Sequence, residues 1–215
     1  MVSLDHIRTL YQASLAEHGD SPAAVQWPKG RQDLRFAALT RYISADSSGT
    51  LLDFGCGLGH MRPFMQQHFP AIKYNGVDIV PEFIQTAKQT HTDASFQLIQ
   101  AAEEITGSYD YITASGVFNI AFFEDKTANL VYIFNTLQTL FGKCRQYLSI
   151  NFMTDKVDFE QPGAYHQNIP ALYDFCHQNL SPRLVIDQSD MPYEFTITIF
   201  KDATIIRPDN IYASR

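Results

Sequence analysis

Residues 50–60 read TLLDFGCGLGH: a short apolar run ends in Asp53, and Gly55, Gly57 and Gly59 follow at alternate positions. The run predicts a strand, and glycines directly after a strand let the backbone come close to a ligand where any Cβ would clash. A nucleotide-like ligand is the chemical class that such turns most often cradle. Glycine spacing alone does not say whether that ligand carries phosphates.

Working outward, strand-like and helical patterns alternate. HMRPFMQQHF (60–69) predicts a helix interrupted near its start by Pro63, YNGVDI (74–79) a strand, and PEFIQTAKQTH (81–91) a helix with Pro81 in its first turn. SFQLIQ, YDYITASG and QYLSINFM predict further strands, with a long helix near 125–141 before the last of them. A helix over 170–179, then RLVIDQ and YEFTITIFK, completes seven strands. Strands separated by helices predict a mainly parallel sheet covered on both faces. The last two strands are joined too tightly for a helical crossover, so they are expected to form an antiparallel hairpin at the sheet edge. In the final strand, Phe195, Ile197 and Ile199 alternate with threonines, which predicts two differently buried faces. Before residue 48, helices are expected over 3–17 and 31–43, the first with Leu4, Ile7, Leu10, Tyr11 and Leu15 on one face. This gives an expected organisation of an N-terminal helical cover (1–47) and a main α/β domain (48–215) in one compact unit.

Composition narrows the function. The 215 residues carry 16 Lys and Arg against 23 Asp and Glu, a net charge of −7, with no basic run anywhere. A polyphosphate partner needs clustered cations, so nucleic acid is disfavoured and a small-molecule substrate is expected. No apolar stretch has membrane-spanning length, and the N-terminal residues lack a basic-then-apolar signal pattern. Cys56, Cys144 and Cys176 are odd in number and widely spaced, as for reduced thiols of a cytoplasmic protein. The oligomeric expectation is a monomer or homodimer.

The Asp-x-Gly-x-Gly-x-Gly segment, YNGVDIVPEFI (74–84), the two strands after it and the closing hairpin occur in an order that resembles the class I S-adenosylmethionine-dependent methyltransferases. The resemblance covers about residues 48–201. It implies a three-layer Rossmann-like fold, S-adenosylmethionine as cofactor and S-adenosylhomocysteine as product. By resemblance Asp53, Gly55, Cys56, Gly57 and Gly59 form the loop beneath the cofactor's methionine and ribose. Asp53 there orders the loop and the methionine ammonium, directly or through water; a plain cap on the following turn is its other reading. Asp78, 25 residues beyond Asp53, suits the ribose hydroxyls, as acids at that place do in dinucleotide folds, or else caps a helix. Ile79 and Val80 suit adenine packing.

Many members of that family carry an acid just after the third strand, against the adenine amine. Here the segment is LIQAAEEI and the matching position is Ala101, so adenine is expected on backbone groups of Ala101 and Ala102, or on Gln100 or Glu103. The fourth strand ends in ASGVFNI, which places Ser115 and Gly116 beside the methionine half and Asn119 at the substrate mouth, either orienting the acceptor or capping a turn. The Asp/Asn-Pro-Pro run of nucleobase methyltransferases is absent there. Asn151 and Asp155 are isolated candidates after the fifth strand, and no metal is expected. The loop DFEQPGAYHQNIP (158–170) is a candidate lid, with His166 a general base or an ordinary surface histidine. Glu194, before the last strand, is a substrate contact or a turn residue. In the N-terminal part, Trp27 and either Arg31 or Arg35 are candidates to close over the cofactor, the arginine by clamping its carboxylate.

The reaction expected is methyl transfer to an oxygen or nitrogen of a small molecule by in-line displacement. The alternatives are methylation of RNA or protein and a non-catalytic cofactor-binding subunit. A nicotinamide oxidoreductase is disfavoured because its fingerprint spaces the third glycine one residue later.

Overall fold

The protein was analysed as a computed structural model that describes residues 4–25 and 31–204, with side chains from Ile7 onward. Trp27 lies outside the described residues.

A seven-stranded sheet forms the middle layer: β1 (Gly49–Phe54), β2 (Ile72–Asp78), β3 (Ser95–Leu98), β4 (Tyr109–Ala114), β5 (Cys144–Met153), β6 (Leu184–Asp187) and β7 (Glu194–Phe200). Their order is β3-β2-β1-β4-β5-β7-β6. β7 alone runs antiparallel, pairing β5 on one side and β6 on the other. The expected terminal hairpin is therefore observed, with β6 outermost. Among the described residues, α1 (Leu4–His18) and α2 (Gln32–Thr40) precede β1, and α3 (Met61–His68), α4 (Pro81–Thr90), α5 (Lys126–Lys143) and α6 (Ile169–Asn179) connect strands.

Each face of the sheet has its own core. Phe36 and Leu39 of α2, Met61 and Met65 of α3, and Ile84 and Ala87 of α4 pack on Leu51, Tyr74, Tyr111 and Tyr147. Ile133, Leu137 and Leu140 of α5, with Leu172 and Cys176 of α6, pack on Leu52, Ile112, Leu148 and Ile150. Neighbouring strand residues thus point to opposite cores, as the period of two requires. Helix starts are set locally: the Asp125 carboxylate accepts the Thr127 N–H at 3.0 Å, and Asn168 accepts that of Ala171 at 3.0 Å.

Two expectations are corrected here. Pro63 does not interrupt α3, because it falls in the first turn, where its missing N–H has no intrahelical acceptor. The two faces of β7 are equally buried, Thr196 and Thr198 as well as the apolar residues. Thr198 Oγ1 meets Ser149 Oγ across the β5–β7 pair at 2.9 Å, which satisfies a hydroxyl that would otherwise be costly to bury.

The chain winds from β1 outward to β2 and β3, then returns to β4 on the other side of β1. That reversal opens a crevice at the carboxyl ends of the central strands, the place where open α/β sheets bind ligands.

Candidate active site

A cavity of about 490 Å³ opens at that reversal. Its walls run from α1 and the ends of β2 and β3 to the region beyond β4, β5 and the head of β7. From Asp78 at the end of β2 to Glu194 at the start of β7 is four strand spacings, roughly 19 Å.

The first wall is built by the glycine turn. Gly55 has φ of +73° and a Cβ there would lie 2.3 Å from Val117 Cγ2, so no other residue fits without moving its neighbour. The N–H groups of Gly55 and Cys56 both donate to Val77 O, at 2.8 and 3.0 Å, fixing the turn to β2. Asp78 is buried and lines the cavity. Its Oδ2 accepts the Gly57 N–H at 2.8 Å and its Oδ1 the Val80 N–H at 2.9 Å. Burial raises its pKa, opposed by those bonds. One carboxylate therefore braces both the glycine turn and the start of α4 while facing the cavity.

Asp53 sits beneath the turn, 3% exposed. The Tyr74 hydroxyl donates to its Oδ2 at 2.6 Å, and its Oδ1 is buried with no hydrogen-bond partner. Burial lifts its pKa to about 7, with the negative charge of Asp78 adding to the effect. That carboxylate borders a second space of about 40 Å³, shared with Gly55, Cys56, Gly57, His60 and Ser115. The volume admits a water molecule.

The adenine-sized end is apolar: Ile7, Leu10 and Tyr11 of α1 face Ile79, Val80, Phe83 and Ile99. The Tyr11 and Phe83 rings meet edge-on at 5.5 Å. The α1 helix is pinned there by Arg8, whose Nε donates to Ile79 O at 3.1 Å and whose Nη2 reaches Gln100 Oε1. A second clasp joins the N-terminal segment to the glycine turn. His60 Nε2 meets Asp20 Oδ1 at 3.0 Å, and its Nδ1 faces the Gln32 amide at 3.2 Å.

At the far end, Arg35 and Glu194 form a buried ion pair, Nε to Oε2 at 2.5 Å and Nη2 to Oε1. Burial lowers the Arg35 pKa, and the pairing with Glu194 opposes that. Asn119 follows β4, and its Oδ1 accepts the Met153 N–H at 2.9 Å. Ile120, Phe122, Tyr132, Met153 and residues 161–164 complete this end.

Of the residues singled out in the sequence, Gly55, Gly57, Asp78, Ile79, Ser115, Gly116, Arg35, Asn119 and Glu194 line the large cavity. Asp53 and Cys56 border only the small space beside it. Gly59, Ala101, Ala102 and His166 line neither. A Cβ on Gly59 would lie 2.9 Å from both Phe96 and His91, so this glycine admits α4 and β3 rather than a ligand. Ala101 is exposed and Ala102 buried in a short 3-10 turn, so the backbone groups expected to meet adenine do not line the cavity, whereas Ile99 just before them does. His166 Nδ1 faces Thr154 O at 2.9 Å, away from the cavity, and Tyr165 is buried in the core. Asn151 is likewise buried within β5 and not at a rim. Sequence reasoning missed Phe83, Ile99, Tyr132 and Met153. They are apolar or aromatic residues at helical or strand spacing, with no local mark separating wall from core. Among the described residues no three His, Cys, Asp or Glu side chains gather as metal ligands would.

A methyltransferase-domain family matches residues 52–149, the span from β1 to β5 that carries the glycine turn and Asp78. That match, with the relatives and structures below, supports a class I S-adenosylmethionine-dependent methyltransferase. A Mycobacterium tuberculosis protein named as a methyltransferase is 27% identical over 163 residues, 75% of this chain and 98% of that protein. Among solved structures, the magnesium protoporphyrin IX methyltransferase of Synechocystis PCC 6803 with bound S-adenosylhomocysteine superposes with a TM-score of 0.67 at 14% identity. It covers 92% of this chain and 97% of the other. The plantazolicin methyltransferase BpumL, in complex with a desmethyl substrate analogue and S-adenosylhomocysteine, gives 0.63 at 14%, covering 92% and 97%. At such identities the structural likeness speaks for the fold of this methyltransferase and no further.

Proposed function

We propose that this enzyme transfers the methyl group of S-adenosylmethionine to an oxygen or nitrogen of a small molecule by in-line displacement. The observation that carries the reading is Asp78: a buried carboxylate at the end of β2, lining the cavity and tied to the Gly57 N–H. Its place suits the two ribose hydroxyls, with Ile79, Phe83 and Ile99 against adenine. The glycine turn at Gly55 and Gly57 lets the methionine chain pass toward Ser115 and Gly116. Asp53, with one buried oxygen unpartnered, complements the methionine ammonium through a water in the adjoining space. When bound, the cofactor brings the electrophilic carbon, so the protein's part is to orient the acceptor and exclude water. Arg35, one of the two candidates to clamp the methionine carboxylate, already engages Glu194.

In this reading residues 1–47 act partly as a cover. The α1 helix lies over the adenine end, whereas α2 is also part of the layer that packs on the sheet. The protein is proposed to work in the cytoplasm, where its three unpaired, buried cysteines would stay reduced. No helix among the described residues is long and apolar enough to cross a membrane.

Calorimetric titration of the folded protein with S-adenosylmethionine and S-adenosylhomocysteine tests the first half of the reading. Micromolar binding of both is expected. A folded sample that binds neither would overturn it. Methyl-labelled cofactor incubated with a metabolite panel then tests transfer.

A further inference from the structure

Methyl transfer by in-line displacement can serve an oxygen or a nitrogen acceptor. The far end of the cavity narrows that choice, beginning with Asn119. The Met153 N–H can only be met by an oxygen, so the Asn119 amide is held with Oδ1 toward β5. No hydrogen bond joins its Nδ2 to another described residue, and Asn119 is among the residues lining the cavity. The site therefore offers two N–H donors from Nδ2. They complement an oxygen lone pair and oppose an ammonium group.

Charge points the same way. The charged residues lining this end are Arg31, Arg35 and Glu194, two guanidinium groups against one carboxylate. Arg31 stands close enough to Arg35 for its charge to be felt there. Both Glu194 oxygens are taken by Arg35.

Among the described residues none is placed here to remove a proton. No histidine lines the cavity among the described residues, and His166 faces the Thr154 carbonyl instead. A proton on Glu194 would strip the buried Arg35 of its counter-charge. Asp78 is committed to Gly57 and Val80 at the end of β2. A primary amine or an alcohol would reach the site still carrying its proton near neutral pH, whereas a carboxylate arrives without one. Ile120, Phe122, Tyr132 and Met153 make most of the wall at this end apolar or aromatic, with Gln161 the polar residue among them. Where water is excluded, attack of an anion on a sulfonium cation gains most, because the two charges cancel as the bond forms.

We infer that the methyl acceptor is a carboxylate on a small molecule with an apolar body, held by the Asn119 amide nitrogen in the field of Arg31 and Arg35. The inference rests on the methyltransferase reading. The carboxylate lone pair forms the new O–C bond as the S–C electron pair returns to sulfur. The products are a methyl ester and S-adenosylhomocysteine, and no proton leaves the acceptor.

The test uses the full chain saturated with S-adenosylhomocysteine, titrated by calorimetry with 3-phenylpropanoate, 3-phenylpropylamine and 3-phenylpropanol, which share one skeleton. The acid is expected to bind at least about tenfold more tightly than the amine or the alcohol. Asn119→Asp keeps an oxygen for the Met153 N–H and replaces the donor with an anion. It is expected to erase that preference while leaving S-adenosylhomocysteine affinity within about twofold. An acid that binds no better than its analogues, or a preference that survives in Asn119→Asp, overturns the inference while the methyltransferase reading stands. Failure of S-adenosylhomocysteine itself to bind overturns both. In turnover with methyl-labelled cofactor, an ester gives label that mild alkali releases as volatile methanol, and alkali-stable label would overturn the inference.

Discussion

Arg35 of α2 and Glu194 at the head of β7 are 159 residues apart in sequence and meet as a bidentate, buried ion pair on the cavity wall. The planar guanidinium matches the carboxylate fork, so the pair fixes angle as well as distance between the N-terminal segment and the last strand. It joins the part of the chain that the family match leaves out on one side to the part it leaves out on the other.

Glu194→Ala leaves a buried guanidinium without its counter-charge and is expected to cost about 3–5 kcal/mol of unfolding free energy. Arg35→Leu combined with Glu194→Leu is expected to cost less than Glu194→Ala alone, because the charge and its partner leave together. Chemical denaturation of the three proteins measures this. A loss under about 1 kcal/mol in Glu194→Ala would mean that the pair behaves as an exposed one.

Asp53 carries a pKa of about 7, raised chiefly by burial. A carboxyl raised in the folded protein stabilises it fully below the unfolded value near 3.8, and that contribution is lost as pH climbs through about 7. An ammonium group bound across the small space favours the charged form, so cofactor binding is expected to release a proton near pH 6 and to tighten as pH rises toward about 8. Calorimetry in buffers of different ionisation enthalpy reads the release directly. Asp53→Asn is expected to abolish it, and an unchanged proton count in that variant would remove Asp53 from the binding step.

Features set by short spacing were legible in the sequence, and those set by distant partners were not. The Asp53 to Gly59 segment and Asp78 stand at strand ends that their own neighbours define, so both elements and their place at the crevice could be read locally. The buried threonine face of β7 was misread because alternation reports polarity, while burial of Thr198 depends on Ser149 of another strand. Arg35 carried the right chemistry, but its partner Glu194 lies too far along the chain to be paired by pattern. His166, read as either a general base or an ordinary surface histidine, shows the limit of residue type. The Gln167 N–H donates to Met153 O at 2.8 Å and turns the segment so that the imidazole faces Thr154, a long-range placement the local sequence does not carry.

Gly55 combines positive φ with contact against Val117. Gly55→Ala is expected to destabilise through both, and adding Val117→Ala is expected to restore only the steric share. A deficit of about 1–2 kcal/mol should remain from the left-handed backbone. Thermal unfolding of the single and double variants separates the two shares. Full recovery in the double variant would show that backbone strain is absent.

Asp78 makes the strongest demand on the site, because the same two oxygens serve the fold and face the ligand. Asp78→Ala removes the acceptors of the Gly57 and Val80 N–H groups, which costs about 1–3 kcal/mol for each donor left buried. It also removes the carboxylate proposed for the ribose hydroxyls, and cofactor affinity is expected to fall at least about tenfold. Asp78→Asn separates the roles. One amide oxygen can still accept from one of the two N–H groups, but the amide NH2 confronts the other donor, so the turn stays strained although its volume is unchanged. Affinity measured in both variants, at a temperature where each is folded by circular dichroism, decides the point. An unchanged dissociation constant in folded Asp78→Ala would confine this residue to bracing the glycine turn and would place the ribose elsewhere.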